Sequence, residues 1–294
     1  MLRKIMVSII LILLILISQS YTYANNDLTL RDLGIADRDI KNMSDEKKNF
    51  YSNLKILNIK EETKYFQIEV KKSNCGSKEI KNKSQNNNEY ETKIIEITKS
   101  DFEKQVFQLN KKVDFDTNAS STDSINLSWV KMTTKIALIE GDEYVVTNDI
   151  SYFESNGFLQ PVNTHIIGIG VGANYSVIKD SEYLRHEYTL YSSNLGIYEP
   201  GQYDYYWSAY EKSAQGYAFV IQTYETQINN RAFMALRIKA NVSNTTVVDA
   251  YGHYAKYTRS VTPSISFSIN GASIDITPTT NLIKAPNTHV QLYR

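Results

Sequence analysis

The sequence predicts a mainly β protein, in which an antiparallel β-sandwich follows a small, charged α+β region. Ten segments after residue 125 alternate apolar with polar residues and are rich in the β-branched and aromatic residues that favour strands. Turn-forming residues separate these segments, as they do in sandwiches of short strands. Almost no helical spacing of apolar residues follows residue 125.

The first 24 residues have the pattern of a secretory signal peptide. Two basic residues precede the apolar run Ile5–Ile17, and Thr22 and Ala24 place small residues where cleavage before Asn25 requires them. The run is shorter than the roughly 20 residues of a membrane-spanning helix. We therefore expect an exported, extracellular chain that keeps no stable transmembrane segment after removal of the signal.

Charge and cysteine content narrow the classes of partner. The net charge of zero becomes −2 (0 − 2) without Arg3 and Lys4, so nothing predicts binding to nucleic acid or a general attraction to anionic membranes. Cys75 is the single cysteine, which excludes an intramolecular disulfide. It lies in a polar tract, 71–88, which we predict to be a loop with an exposed thiol; an intermolecular disulfide is the alternative.

Residues 25–124 are predicted to form the small α+β region. They hold 36 charged residues and three tyrosines, whereas residues 125–294 hold 26 charged residues and 17 tyrosines. Asp37 is the expected N-cap of a first short helix through Met43, and Ser44 is the expected N-cap of a second. The patterns that follow predict strands at 54–59, 65–70 and 92–98 and a helix at 101–109.

A polar linker, 114–124, is expected to join the two parts, because it is rich in turn-forming residues. The spacing of Asp114 and Asp116 matches the start of a calcium loop. Ala119, however, stands where that loop needs glycine, and Ile125 stands where it needs glutamate. The sequence therefore predicts a linker here rather than a metal site, and it predicts no metal or cofactor elsewhere.

The strands of the sandwich are justified one by one by their period-2 patterns. The predicted strands are 126–139, 143–153, 165–178, 183–191, 202–210, 218–227, 232–242, 246–258, 264–270 and 273–277. The predicted turns between them include 140–142, 155–157, Pro200-Gly201 and Asn229-Asn230.

The last two strands are predicted to form a hairpin around Asn270-Gly271, the pair that a two-residue type I′ turn prefers. Folding the chain there pairs residues whose numbers sum to 541. Ile269 then faces Ala272, and Phe267 faces Ile274. Apolar residues meet apolar ones along the hairpin, so turn chemistry and pattern select the same register.

Residues 165–178 carry glycine at alternate positions, 168, 170 and 172. This spacing departs from a dinucleotide-binding fingerprint, whose third glycine comes one residue later and opens a helix. Glycines at alternate positions flatten one face of a strand. We therefore predict that a second backbone or a bulky aromatic ring packs closely against this face.

Tyrosine is concentrated in one part of the chain, since eleven of the 22 tyrosines fall within residues 175–224. Tyr203, Tyr205 and Trp207 share one face of a predicted strand, and Tyr206 and Tyr210 share the other. Such a row either stacks on the rings of a sugar ligand or fills a sandwich core with its hydroxyls at the rim. Because both faces are aromatic, we expect at least one to be buried, and we name Tyr203, Tyr205 and Trp207 as the candidate ligand-binding residues.

The sequence contains no convincing catalytic motif. The histidines occur outside the H-E-x-x-H pattern of zinc proteases, and no serine lies in the G-x-S-x-G pattern of hydrolases. We therefore predict structural roles for the four histidines, which are His165, His186, His253 and His289.

Three segments carry a resemblance to known proteins: Leu127-Ser-Trp-Val-Lys-Met-Thr-Thr-Lys, Tyr251-Gly-His-Tyr-Ala and Asn287-Thr-His-Val-Gln-Leu. With them, residues 125–294 resemble a group of uncharacterised secreted proteins of Gram-positive bacteria. The resemblance implies a bacterial exported protein with a β-rich fold. It implies no activity and no functional residues.

These observations favour a non-enzymatic β-sandwich that acts outside the cell or at its surface as a binding module. A cell-wall glycan or another surface protein is the expected partner. The alternatives are a secreted pore-forming toxin and an enzyme whose site is dispersed over several strands.

Overall fold

The structure of the chain is a computed structural model. It describes residues 28–72, 90–111, 126–141, 143–154, 162–192, 196–242, 245–258, 260–277 and 282–293. The predictions of a signal peptide, of an exposed Cys75 and of the linker 114–124 lie outside the described residues, as does most of the polar tract 71–88.

β-Strands dominate the described residues, which confirms the predicted fold class. The helices are α1 (Asp37–Asn42), α2 (Asp45–Ser52) and α3 (Lys99–Lys111). The strands are β1 (Ile56–Lys72), β2 (Tyr90–Glu96), β3 (Asn126–Ile139), β4 (Glu143–Glu154), β5 (Val162–Val171), β6 (Tyr175–Val177), β7 (Tyr183–Ser192), β8 (Ile197–Tyr206), β9 (Glu211–Ser213), β10 (Gly216–Tyr224), β11 (Gln227–Ala240), β12 (Val247–Tyr257), β13 (Ser264–Phe267), β14 (Ile274–Thr277), β15 (Leu282–Lys284) and β16 (Thr288–Tyr293).

The strands form a sandwich of two antiparallel sheets. One sheet has eight strands, in the order β2-β1-β3-β4-β11-β7-β8 with β6 also paired to β11. The other has six strands, in the order β15-β12-β5-β10-β9 with β16 also paired to β12. The facing sides of the two sheets enclose the main apolar core, whose buried members include Phe66, Met132, Ile167, Phe219 and Leu236.

Two smaller apolar clusters cover the outer faces of the sandwich. Leu33 and Tyr51, from the N-terminal turn and α2, pack with Phe233 on the eight-stranded sheet. On the opposite side, Ile276 of the hairpin β13–β14 packs with Ile166 on the six-stranded sheet. The molecule therefore has four layers, and the helices α1 and α2 lie outside the sheet that ends at β8.

β1 is one strand of 17 residues, where the sequence predicted the two strands 54–59 and 65–70. It pairs with β3 from Val70 opposite Asn126 to Ile56 opposite Ile139. Strands from both sides of the linker 114–124 therefore lie in the same sheet, and Phe66 of β1 is part of the main core.

The three helices lie where the sequence predicted them, with one wrong cap. Ser44 caps α2 as expected, since its Oγ accepts a hydrogen bond from the backbone N–H of Lys47. Asp37 is the first helical residue of α1 rather than its N-cap. The N-terminal backbone N–H of Ala36 instead donates to the carboxylate of Asp39, 2.9 Å away.

Three predicted strand or turn positions are wrong. The predicted strand 165–178 ends at Val171, turns at residues 172–174, and continues as β6 in the other sheet. Pro200-Gly201, predicted as a turn, lies inside the edge strand β8, where Gly201 has a φ of +77°. Asn229-Asn230 is a bulge in β11, with φ +52° at Asn229, and the turn comes earlier at residues 225–226. Bulges leave such turn-like residues within paired strands.

The hairpin β13–β14 confirms the predicted register and corrects the predicted turn. Ser264 pairs with Thr277 and Phe267 pairs with Ile274. Only Gly271 of the Asn270-Gly271 pair has a positive φ, +65°. The backbone N–H of Ser268 donates to the carbonyl of Ser273 at 3.0 Å, so the loop has four residues and Ile269 is 84% exposed instead of facing Ala272.

The glycine-bearing face of β5 packs as predicted. A Cβ added to Gly170 would lie 2.0 Å from the carbonyl oxygen of Gly271, and one added to Gly168 would lie 3.5 Å from the ring of Phe267. The hairpin backbone thus approaches β5 as closely as only glycine allows.

Candidate functional site

The candidate residues Tyr203, Tyr205 and Trp207 lie along the outer face of β8 and just beyond its end. We call these three residues the outer aromatic row. In the described part of the chain, β8 is the last strand of the eight-stranded sheet. Tyr205 is opposite Arg185 of β7, and Tyr203 is opposite Glu187. The period-2 geometry of a strand therefore brings the row together on the side that faces α1 and α2.

Trp207 and Tyr205 form the accessible end of the row. Their rings stack in parallel, with centroids 5.5 Å apart and an interplanar angle of 5°. The Trp207 ring also lies 6.0 Å from that of the buried Tyr183. Trp207 itself is 37% exposed, so part of its side chain is open to solvent while the ring packs on its two tyrosine neighbours.

Helix α1 covers the other end of the row. The guanidinium of Arg38 lies 3.9 Å from the ring centroid of Tyr203 and also donates a hydrogen bond to its hydroxyl. The hydroxyl of Tyr205 donates to Oδ1 of Asp39 at 3.1 Å. Tyr203 and Tyr205 are consequently half-buried. The structure thus places the row between the two sequence-based interpretations, with Trp207 in solvent and its neighbours under the helix.

A buried ion pair anchors this helix. Asp39 is fully buried, and its carboxylate pairs with the guanidinium of Arg185, whose side chain is 2% exposed. Burial raises the pKa of Tyr183 well above its usual value, and the neighbouring charge of Asp39 adds to the effect. Burial, followed by Asp39, likewise raises the pKa of Tyr205. Both hydroxyls therefore stay protonated and can donate to the carboxylate.

Charged groups surround the Trp207 end. The ammonium of Lys47 lies 5.8 Å from the Trp207 ring and donates to the carbonyl of Glu182 at 2.5 Å. The Glu182 carboxylate is fully buried and pairs with Lys212 at 2.5 Å. Burial lowers the pKa of Lys47. Asp180 also pairs with Lys212, at 3.3 Å, so two acids match the two lysines and this end favours no strongly charged ligand.

The aromatic residues on the other side of β8 have separate roles. Tyr206 packs against the main core, and burial, with the nearby charge of Asp204, raises its pKa to about 12. Tyr210 lies beyond the strand and is 49% exposed, and its hydroxyl donates to the carbonyl of Pro263 at 2.8 Å. No residue of β8 is fully buried; its inner side is half-buried where Tyr206 contacts the core, which falls short of the buried face that the sequence predicted.

Three of the four histidines are buried among hydrogen-bonding partners. His165 lies between the hydroxyls of Tyr254 (3.0 Å) and Thr223 (2.9 Å), and burial lowers its pKa well below the usual value. His253 contacts the carbonyl of Gly271 at 2.9 Å, which ties β12 to the hairpin. These contacts are those of structural histidines.

Sequence reasoning missed the residues that position the row. Asp39 and Lys47 sit in short, charged helices, and their spacing is that of solvent-exposed positions. Arg185 and Glu182 are charged residues of a predicted strand and its approach. No local signal identifies any of them, because each is recruited by a contact between elements more than 130 residues apart.

The described residues bear on membranes and metals in two ways. None of the helices there is both long and apolar enough to cross a membrane. No group of three or more histidine, cysteine, aspartate or glutamate side chains in the same residues is arranged to hold a metal ion.

Comparisons with known proteins give remote structural similarities. No protein-family model and no curated protein sequence matches the chain. The collagen-binding domain of the Erysipelothrix rhusiopathiae surface protein RspB is 4% identical, with a TM-score of 0.26 over 56% of this chain and 65% of that one. The T6 backbone pilin of serotype M6 Streptococcus pyogenes is 8% identical, with a TM-score of 0.31 over 82% of this chain and 65% of that one.

This chain thus spans less than two thirds of the length of either structure. At these identities and TM-scores, the similarity assigns neither a family nor a ligand to the chain.

Proposed function

We propose that this chain is an exported, non-enzymatic β-sandwich that binds an extracellular or cell-surface partner through the Trp207 end of the outer aromatic row. The predicted signal peptide supports export. The burial of His165, His186 and His253 supports a non-enzymatic role, because these candidate general bases lie inside the packed sandwich.

The exposure of Trp207 beside a fixed aromatic neighbour carries the proposal. Among the described residues, twelve large apolar side chains are exposed, and Trp207 is one of them. Leu190 and Tyr198 are exposed too, but they lie at the opposite end of the β7–β8 pair, so Trp207 is the exposed member of the row on its own. A tryptophan that is partly exposed and packed on another ring is typical of an interaction site, because such rings offer a large apolar contact with a polar edge.

The fixed position of the Trp207 ring supports the same conclusion. Trp207 stacks on Tyr205, and Tyr205 is held by its hydrogen bond to the buried Asp39. An aromatic side chain that is already fixed loses little conformational entropy when a partner docks, so more of the contact energy appears as affinity. Tryptophan and tyrosine are also the residue types most enriched in the energetic centres of interfaces.

The chemistry of the Trp207 end fits two kinds of partner, a cell-wall glycan and a surface protein. A partly exposed ring near two lysines, Lys47 and Lys212, whose charges are balanced by Glu182 and Asp180, suits a neutral ligand with polar groups at its edge. Sugar rings and the side chains of a protein loop both have this character. The choice between them is experimental.

Retention on purified bacterial cell walls tests the proposal. Walls with intact surface proteins and walls stripped of protein form the two arms. We expect the wild type to be retained, and Trp207→Ala to lose retention while remaining folded. Retention on stripped walls would identify a glycan, and retention on intact walls alone would identify a protein.

Tyr293→Ala is the matched control, because Tyr293 is 68% exposed on β16 in the other sheet. It should be retained like the wild type. Failure of the wild type to bind either preparation, or unchanged retention of a folded Trp207→Ala protein, would contradict the proposed function.

A further inference from the structure

The inner face of the β7–β8 pair carries a second cluster, which the outer aromatic row does not include. His186 and Tyr188 of β7 and Asp204 and Tyr206 of β8 form it, and we call it the inner cluster. His186 is directly opposite Asp204 in the strand register. Burial decreases outward, from the fully buried His186 to the half-buried Tyr188 and the Asp204 side chain, which is 46% exposed. The cluster therefore lies where the core meets solvent.

Hydrogen bonds assign the tautomer of His186. The side-chain amide of Asn230 donates from Nδ2 to the carbonyl of Gln227 at 2.8 Å, so its Oδ1 is the atom that faces Nε2 of His186, at 2.9 Å. Since that oxygen only accepts, Nε2 carries the proton, and the hydroxyl of Tyr152, 3.3 Å from Nε2, is a second acceptor for it. Burial lowers the pKa of His186, which keeps the ring neutral near pH 7. Nδ1 is then a bare acceptor.

Nδ1 has no hydrogen-bond partner among the described residues. It faces Oδ2 of Asp204 across 3.9 Å. Two hydrogen-bond acceptors, Nδ1 of His186 and the negatively charged carboxylate of Asp204, thus face each other. No described lysine or arginine forms an ion pair with Asp204. A buried acceptor without a donor is unfavourable, so a group with several N–H donors would stabilise this arrangement.

We propose that the inner cluster binds a primary ammonium group, as carried by a lysine side chain of a partner. One ammonium nitrogen can lie about 2.9 Å from both acceptors and donate to each. A sugar hydroxyl donates only one hydrogen and leaves the carboxylate charge uncompensated. The ring of Tyr188, centred 5.0 Å from the imidazole, and that of Tyr206 supply aromatic faces, which attract cations.

Access is from the Asp204 side. The ammonium first pairs with the half-exposed carboxylate and then reaches Nδ1 as the half-buried Tyr188 ring moves aside. Tyr188 lies in the half of β7 where the exposure of successive residues rises toward Leu190, which is 36% exposed. Its ring is therefore less confined than the residues of the core.

His289 and Asp249 provide an internal comparison. Nε2 of His289 lies 2.8 Å from Oδ1 of Asp249, so this pair is already closed by a direct hydrogen bond. Its ring also stacks on an aromatic neighbour, Tyr251, at 4.4 Å. The same residue types therefore occur twice, and of the two pairs only that of the inner cluster leaves the histidine nitrogen nearest the carboxylate without a hydrogen-bond partner.

Titration of the full chain with Nα-acetyl-lysine methylamide tests the proposal, with the ¹⁵N resonances of His186 as the readout. We expect the Nδ1 resonance to shift as it accepts a hydrogen bond, and we expect no shift with the Nε-acetylated probe, which has lost its charge. Asp204→Asn should weaken binding about tenfold or more, because a charge-assisted hydrogen bond is lost. Asp249→Asn and Trp207→Ala should bind like the wild type.

Three results would overturn the proposal. The first is an unshifted Nδ1 resonance in the wild-type chain at saturating probe, which requires no variant to fold. The second is equal binding of the charged and acetylated probes. The third is binding of n-butylammonium without binding of the lysine derivative, which would assign the site to small amines. Because Trp207→Ala leaves this titration unchanged, its outcome is independent of the proposed function.

Discussion

Replacement of Gly271 by alanine tests how the hairpin is seated on the sandwich. Its φ of +65° disfavours any residue with a Cβ, at about 1–2 kcal/mol. The new Cβ would also lie 2.3 Å from the backbone nitrogen of Val171 and 2.8 Å from the carbonyl oxygen of Gln215. The hairpin must therefore shift away from β5, which breaks the contact between the Gly271 carbonyl and His253 and adds about 1–3 kcal/mol. We expect a total loss of about 2–5 kcal/mol in the free energy of unfolding.

Equilibrium chemical denaturation measures this loss, and Gly196→Ala is its control. Gly196 has a similar φ of +60°, but a Cβ there would meet nothing within 4 Å. Gly196→Ala should therefore lose only the backbone part, about 1–2 kcal/mol. Equal destabilisation by the two substitutions would refute the close seating of the hairpin against β5.

Three further perturbations test the packing of α1 and the buried histidines. Asp39→Ala should lower the free energy of unfolding by about 3–5 kcal/mol, because it leaves the buried Arg185 with only the more distant Glu187, 4.0 Å away; a loss below 1 kcal/mol in urea denaturation would contradict the buried pair. Tyr205→Phe removes only the hydroxyl bonded to Asp39 and should cost about 1–3 kcal/mol by the same assay, with no loss meaning that this hydrogen bond is absent. Burial lowers the pKa of His253 to about 4 in the folded chain, whereas its ordinary value is about 6.5. Between these two pH values the unfolded chain binds a proton at His253 and the folded chain does not. Stability should therefore fall by about 3 kcal/mol as the pH drops from 6.5 to 4, and a His253→Gln protein with an unchanged pH profile would refute this assignment.

Local patterns were sufficient to predict most strands. The predicted strand 126–139 matches β3 residue for residue, because its alternation is uninterrupted and ends at Gly141. The hairpin register was also predictable, since the pairing of Phe267 with Ile274 satisfies a pattern that involves only neighbouring residues. Structure that depends on contacts between residues close in sequence can therefore be predicted from local patterns.

The bulges and the bend of β5 were not predictable in this way. Asn229 and Gly201 have the composition of turns, and only pairing with β7 on one side makes each a bulge inside a strand. After Val171 the chain keeps its alternation while it changes sheets. At this change of sheet the backbone N–H of Gly172 donates a hydrogen bond to the carbonyl of Asp249. That acceptor lies in a strand 77 residues away, so no local pattern predicts it.

The same distinction between local pattern and tertiary contact applies to the candidate site. Alternation alone placed Tyr203, Tyr205 and Trp207 on one face of a strand. It carried no information on the helix that packs over Tyr203 or on the buried Asp39 that holds Tyr205. Which of the three rings remains available to a partner was therefore decided by tertiary packing, and the answer is Trp207.

Fluorescence of Trp207 tests the central claim most directly, because the chain has only two tryptophans. In a Trp129→Phe protein, Trp207 is the only emitter, and acrylamide should quench it readily, as its 37% exposure requires. Addition of the cell-wall preparation that retains the protein should protect Trp207 from quenching and shift its emission to shorter wavelength. A Trp207→Phe protein, which reports only the 6% exposed Trp129, should show neither change. Unaltered quenching of Trp207 in the presence of bound wall material would contradict the claim that this end of the outer aromatic row is the contact surface.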